Sequence, residues 1–276
     1  MYEQKRVAAI HDISGFGKCS LTVALPILSA AGLECCAMPT AVLSTHTGGL
    51  HGFTYRDLTG DLLPFANHWQ SLHLHFDALY SGFLGSFEQI GLVSQIFDLL
   101  KSNDTLILVD PCMADNGSYY QVYSGEMAAG MASLCQKADI IVPNLTEAAF
   151  LLGEDYREGP YDRDYIEAIL RRLSKEICPC VVLTGVWFDN ATLGAACIKD
   201  GAVCYAMGRR IEGAFHGTGD IFASVLLSML LKGMDLQRAA QAAVDFVEKS
   251  IERTSVIGTD PRFGVQFEPF LSLLTK

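Results

Sequence analysis

Thr105-Leu106-Ile107-Leu108-Val109-Asp110 is an unbroken apolar run closed by a carboxylate. A run of this length without polar alternation suits a strand covered on both faces, as in a parallel sheet. A strand buried on both sides requires helices above and below it, and the chain supplies them. Residues 7–11 read as a strand ending at a turn, and residues 19–31 as a helix with Gly32 as its stop. Residues 35–43 and 78–82 read as further strands, with a helix over about 86–101. Residues 140–144 repeat the pattern, followed by a helix from Thr146, and residues 181–184 repeat it again.

The rhythm then changes. Residues 192–198 and 202–207 are joined by Lys199-Asp200-Gly201, the signature of a β-hairpin with an Asp-Gly turn. Two long helices close the pattern, about 220–231 and 236–253. Alternating strands and helices predict an α/β fold: a doubly wound, mostly parallel sheet with helices on both faces and an antiparallel edge hairpin. No Pro/Gly/Ser linker, repeat or low-complexity segment interrupts it, so residues 1–276 are assigned to one domain. In such sheets ligands gather beyond the carboxyl ends of the strands. This singles out Asp12, residues 44–49, Gly82, Asp110, Asn144, Thr184 and residues 217–220.

Composition narrows the classes of function. Half of the residues are hydrophobic and 18% are charged, which excludes a disordered chain. No apolar run reaches the ~18 residues that a spanning helix needs. Met1-Tyr2-Glu3-Gln4-Lys5-Arg6 leads straight into a strand without a signal-peptide pattern, so a cytoplasmic protein without a membrane partner is expected. A net charge of −11 argues against a nucleic-acid partner but not against a small phosphorylated ligand. The nine cysteines lack framework spacing. Cys35, Cys36, Cys135 and Cys197 read as small buried hydrophobes, and Cys178-Pro179-Cys180 is not a zinc knuckle.

Gly217-Thr218-Gly219-Asp220 precedes an apolar helical run. Glycines turn backbone N–H groups outward and a helix start adds partial positive charge, so the loop can hold an anion. Asp220 fits beside an anion if it must take a proton there; the alternative is that it only favours a helix start. Asp110 and Asp115 follow the cleanest strand. Asn144-Leu145-Thr146-Glu147 can be a helix cap and its partner, or amide and carboxylate ligands. Oxygen groups of this kind suit magnesium bridging nucleotide phosphates, where the metal keeps most of its waters. Gly15-Phe16-Gly17-Lys18-Cys19-Ser20 is not a dinucleotide fingerprint: Ser20 replaces the third glycine, and no acid ends the second strand. Cys19 after Gly17-Lys18 also rules out a Walker A loop. Residues 45–51 form a glycine-rich loop carrying His46 and His51 that could fold over a substrate. Residues 115–123 are the candidate flap over a nucleotide.

Five motifs, in order over nearly the whole chain, resemble the vitamin-kinase branch of the ribokinase-like superfamily: pyridoxal/pyridoxamine kinases and hydroxymethylpyrimidine kinases. They are Ser44-Thr45-His46-Thr47, residues 81–86 (Ser-Gly-Phe-Leu-Gly-Ser), Asp110-Pro111, residues 143–147 (Pro-Asn-Leu-Thr-Glu) and Gly217-Thr218-Gly219-Asp220. The resemblance implies an ATP-dependent kinase acting on the primary alcohol of a B6 vitamer, or on hydroxymethylpyrimidine of thiamine synthesis. It makes Asp220 the base and Gly217, Thr218 and Gly219 the anion hole. Asp110, Asp115, Asn144 and Glu147 would hold magnesium and phosphates, directly or through water, with Asp110 and Glu147 on the metal side. Thr184 would lie along the nucleotide, and His46, Thr47 and Phe83 would line the vitamin pocket. A potassium-type cation near the anion hole and a homodimer are also implied.

Three positions depart from the pyridoxal kinase pattern. Asp12, in Asp12-Ile13-Ser14-Gly15, resembles the D-P-S-G of hydroxymethylpyrimidine kinases and suits a ligand carrying a protonated amine or ring nitrogen. Phe83 replaces a common tyrosine, and His216 stands where an apolar residue is common. An NAD oxidoreductase and a catalytically silent binding protein of this fold are the alternatives from other classes. The missing third glycine argues against the first, and the intact anion loop with Asp220 against the second.

Overall fold

The computed structural model describes residues 4–120, 123 and 125–275. The chain runs β1 (Arg6–Ser14), α1 (Leu21–Ala30), β2 (Glu34–Leu43), β3 (Tyr55–Asp57), α2 (Thr59–Ser71), β4 (Ala78–Ser81) and α3 (Phe87–Leu100). It continues through β5 (Leu106–Val109), β6 (Ala114–Asp115), β7 (Ser118–Tyr119), α4 (Gly125–Cys135), β8 (Ile140–Ile141), α5 (Leu145–Leu151) and α6 (Arg163–Glu176). It ends with β9 (Val181–Val186), β10 (Thr192–Lys199), β11 (Ala202–Arg209), α7 (Thr218–Leu231), α8 (Leu236–Ile257) and two 3-10 turns, Pro261–Phe263 and Glu268–Thr275.

Nine of the described strands form one sheet, in the order β11-β10-β9-β8-β5-β4-β1-β2-β3. The strands from β2 through β1, β4, β5 and β8 to β9 pair in parallel. The hairpin β10–β11 runs antiparallel at one edge, and β3 does so at the other. The predicted sheet and edge hairpin are therefore both present. The chain steps outward from β1 to β2 on one side, then returns to lay β4 on the other. The topological switch lies between β1 and β4, which is where a doubly wound sheet opens a crevice.

Each face carries its own core. Ile10, Leu79, Ile107 and Ile141 pack beneath α2 to α6, while Val7, Tyr80, Leu108 and Val182 pack beneath α1, α7 and α8. This two-sided burial is why the strands read as continuous apolar runs. Helix α7 has buried residues all round, as expected of a helix sandwiched between the sheet and its neighbours rather than lying on the surface.

Several boundaries differ from the sequence reading. β1 continues past the expected turn to Ser14, because its neighbour β2 follows it with a one-residue slip in register between His11 and Ile13. β8 keeps only two paired residues, since Pro143 cannot donate to a ladder. Cys135, Cys178, Cys180 and Cys197 are buried, but Cys35 and Cys36 are only half-buried. Of the candidate flap, residues 115–119 belong to a β-hairpin formed by β6 and β7, and Tyr120 follows it. Its tip Asn116-Gly117 has positive φ at both positions (50° and 75°), the turn that an Asn-Gly pair favours. Gln121 and Val122 lie outside the described residues. No helix among the described residues is long and apolar enough to cross a membrane.

Candidate active site

The start of α7 is built around one glycine. Gly217 caps the helix with φ 77°, and a Cβ there would stand 2.1 Å from the Lys18 carbonyl oxygen. Only glycine permits both the left-handed backbone and this approach. The contact locks the anion loop against the loop that follows β1. A Cβ at Gly219 would meet nothing within 4 Å, so the first turn of α7 opens onto free space. The N-cap residue is a glycine and offers no capping side chain, so it leaves the backbone donors of the first turn without that partner.

That space is a cavity of about 350 Å³. Its wall brings together Asp110, Asp115, Asn144, Glu147, Thr184, His216, Gly217, Thr218, Gly219 and Asp220, contributed by the ends of β5, β8 and β9, the β6 hairpin and α7. The far end is apolar, formed by Leu193 and Ile211 from the edge hairpin and its exit and by Val244, Val247 and Ile251 of α8. Asp12, His46, Thr47 and Phe83 lie outside this wall. Asp12 is buried beside Asp220, and His46 stacks on His216 at 5.0 Å, so both adjoin the cavity through one residue. Thr47 is half-buried, and Phe83 packs edge-on to Tyr123 at 6.1 Å.

The carboxylates are crowded. Burial, with Glu147 and Asp220 nearby, pushes the Asp110 carboxyl well above the usual range. No described residue donates a hydrogen bond to it. Glu147 is raised by burial too, although backbone N–H groups of Met113 (3.1 Å) and Asn144 (2.8 Å) oppose the shift. The reciprocal bond from the Glu147 amide to the Asn144 side chain (2.9 Å) completes a capping box at α5. The Asn144 amide also donates to the Ala114 carbonyl at 2.8 Å, tying α5 to the β6 hairpin that carries Asp115.

Asp220 is pushed up to about 7, chiefly by burial; a hydrogen bond from the Ser20 backbone lowers it and the Asp12 charge raises it. Asp12 is itself raised by burial, while hydrogen bonds from Ser20 and Ser14 (2.9 Å for the latter) favour its ionised form. Ser20 has φ 53°, a backbone conformation that costs energy in a non-glycine residue, at the point where the chain bridges back to Ile13 and enters α1. His216 is lowered by burial and by neighbouring His46, against the pull of Asp115 and Asp260.

Sequence reasoning passed over several groups here. Cys112 lines the cavity just after Asp110, and burial beside Asp110, Glu147 and Asp220 raises its thiol well above the ordinary range. Gly185 (φ 73°) lines it as well, and so does Tyr120, which the candidate flap already included. Arg209, which the Glu248 and Glu252 carboxylates hold at 3.6 and 2.8 Å, stands at its apolar end. The Asn116-Gly117 pair was the available signal for the hairpin beside Cys112. Nothing local pointed to Arg209, whose place depends on how α8 crosses the edge hairpin.

The residues fit a magnesium–nucleotide complex better than a protein-caged metal. Among the described residues, no group of three or more His, Cys, Asp or Glu side chains could hold a metal by themselves. Two raised carboxylates in one cavity wall suit an ion brought in on phosphates.

An open helix start, an acid in its first turn and further carboxylates in the same cavity wall are the groups that a small-molecule kinase needs. Comparison with known proteins places that class in a family. The phosphomethylpyrimidine kinase family model matches residues 25–263, and the chain belongs to this family. A Bacteroides thetaiotaomicron protein described as a candidate phosphomethylpyrimidine kinase, in a crystal form with pyridoxal, is 36% identical with a TM-score of 0.93, covering 99% of this chain and 96% of that one. Pyridoxal kinase from Lactobacillus plantarum is 32% identical with a TM-score of 0.90, covering 99% and 97%. The pyridoxine/pyridoxal/pyridoxamine kinase of Bordetella avium is 27% identical over 261 residues, 90% of this chain and 85% of the relative.

Proposed function

We propose that this enzyme transfers the γ-phosphoryl group of ATP to the primary hydroxyl of a B6 vitamer, giving the 5′-phosphate and ADP. The observation that carries the reading is the place of Asp220, in the first turn of α7 and in the one cavity wall that it shares with Asp110, Asp115 and Glu147. A carboxylate raised to near the operating pH is a better proton acceptor than an ordinary aspartate. Asp220 takes the hydroxyl proton as the oxygen attacks phosphorus. Backbone donors of Gly217, Thr218 and Gly219 stabilise the charge on the transferring oxygens without reorganising; one such donor is typically worth ~3–4 kcal/mol. The apolar end near Val244, Val247 and Ile251 receives the base of the nucleotide, Thr184 lies along it, and Asn144 fixes the hairpin bearing Asp115. Asp110 and Glu147 would hold magnesium, directly or through water, and the ion would supply charge neutralisation at the phosphates. Asp12 acts on the reaction through Asp220, whose proton affinity its charge increases.

The alcohol is the finer question. Two solved relatives above 30% identity, one a pyridoxal kinase and one in a crystal form with pyridoxal, support a B6 vitamer. The family model and the Asp12-Ile13-Ser14-Gly15 motif at the end of β1 favour a second reading, hydroxymethylpyrimidine as the acceptor. A coupled ADP-release assay with Mg-ATP and potassium, run on pyridoxal, pyridoxamine, pyridoxine and hydroxymethylpyrimidine, separates them. We expect the highest kcat/KM on a B6 vitamer. A preference for hydroxymethylpyrimidine establishes the second reading, and no turnover on any of the four overturns both.

A further inference from the structure

His46 has no ring nitrogen left to offer a substrate. Its Nε2 donates to the Arg262 carbonyl at 2.6 Å, and its Nδ1 accepts the Gly48 N–H at 3.1 Å. A carbonyl can only accept and an amide N–H can only donate, so the two partners fix the tautomer with hydrogen on Nε2. The ring is 7% exposed and its remaining face stacks on His216 with an interplanar angle of 27°. Two glycines close over the pair: a Cβ at Gly17 would reach 2.2 Å from the His46 ring, and one at Gly48 would reach 2.6 Å from His216.

The Arg262 carbonyl belongs to a segment that crosses all three loops of the alcohol side. Asp260 folds this segment into a tight turn, accepting from the Arg262 amide at 3.0 Å and from its guanidinium at 2.6 to 3.1 Å. Pro261 accepts from the His216 amide at 3.4 Å, next to the anion loop. Phe263 packs edge-on to Phe16 at 5.0 Å, and a Cβ at Gly264 would stand 2.6 Å from the Gly17 carbonyl. Lys18 reaches Glu268 at 2.9 Å. The loop after β1, the loop after β2 and the anion loop therefore share one backing, although they lie far apart in sequence.

We propose that His46 is a positioning residue, not a substrate contact: it pins the loop of residues 45–49 to a strap formed by residues 260–268. The pinned loop carries Thr47, so the strap sets how well the alcohol is bound. This inference rests on the kinase reading for its kinetic part only.

The test is a double-mutant cycle between His46→Ala and Asp260→Ala, read as KM for the alcohol, KM for ATP and kcat. Each single change should raise the alcohol KM about 10-fold, the usual worth of one buried hydrogen bond, with the ATP KM within about 2-fold. The double variant should be no worse than either single one, because both cut the same link. His46→Gln, which keeps an N–H able to reach the Arg262 carbonyl, should recover most of the loss. Asp260→Asn, which keeps the acceptor of the turn but removes the charge near His216, should stay close to the parent. Additive effects in the double variant, or an Asp260→Asn defect as large as that of Asp260→Ala, overturn the clamp.

A second measurement needs no turnover. Amide hydrogen exchange in residues 44–52, without any ligand, should quicken in both Ala variants, and unchanged exchange in both overturns the proposal. A parent enzyme that phosphorylates none of the vitamin alcohols defeats the kinase reading and leaves this exchange experiment standing.

Discussion

At Asp220 stability and function pull in opposite directions. Its carboxyl rises from an ordinary 3.8 to about 7 because burial and the Asp12 charge penalise the ionised form. The folded state therefore binds more protons than the unfolded chain between about 4 and 7, and this group costs stability progressively as pH rises through that window. Asp220→Asn removes the charge and keeps the size. We expect its Tm to exceed the parent's at pH 8, with a smaller gain at pH 5 where Asp220 is already protonated. Turnover should fall ~10²-fold or more while ATP still binds. In the parent, kcat/KM should climb with pH through about 7 as the base ionises. Near-normal turnover in the variant would remove Asp220 from the role of base. Its identity as an acid beside an anion loop was legible in the sequence. Its proton affinity was not, because that depends on Ser20 and Asp12 meeting it across the sheet edge.

At the level of elements, the capping box of α5 shows one pair of residues serving two ends. Asn144 and Glu147 satisfy each other's backbone, and Asn144 also holds the β6 hairpin through the Ala114 carbonyl. Of the two readings open in the sequence, the cap is present, and both residues also line the cavity. Asn144→Ala should cost about 1–2 kcal/mol, the usual range for a lost cap, measured by urea unfolding. It should also raise the KM for ATP, since Asp115 loses its support. An unchanged urea midpoint would show that the box contributes nothing to the fold. The hairpin itself was readable from Asn116-Gly117, but its function as a wall of the cavity was not, because that follows from where α5 is docked.

For the whole molecule, acids from four regions of the chain converge on one cavity. Asp110, Asp115, Glu147 and Asp220 raise one another's proton affinity, and on the proposed reading a cation delivered on phosphates would relieve that crowding. Mg-ADP at 100 times its Kd should stabilise the fold by about 2.7 kcal/mol. This is read as a Tm rise of ~5 °C or more, at about 2–4 °C per kcal/mol for a chain of this size. ADP with a chelator should give less than half of that rise. Equal shifts with and without magnesium would show that Asp110 and Glu147 do not face the metal.

The sequence alone determined that strands covered on both faces alternate with helices, and that polar motifs punctuate the strand ends in a set order. Periodicity and composition act within a dozen residues, so they report which face of an element is buried and where the element stops. Only the tertiary structure decided which ends become neighbours. The strand order puts β1 beside β4, and the backbone of Ser20 takes a conformation its residue type disfavours. Gly217 closes on Lys18, and the C-terminal segment returns to hold His46. These are contacts between residues up to some two hundred positions apart, settled by the packing of two cores against one sheet, and no local pattern encodes them.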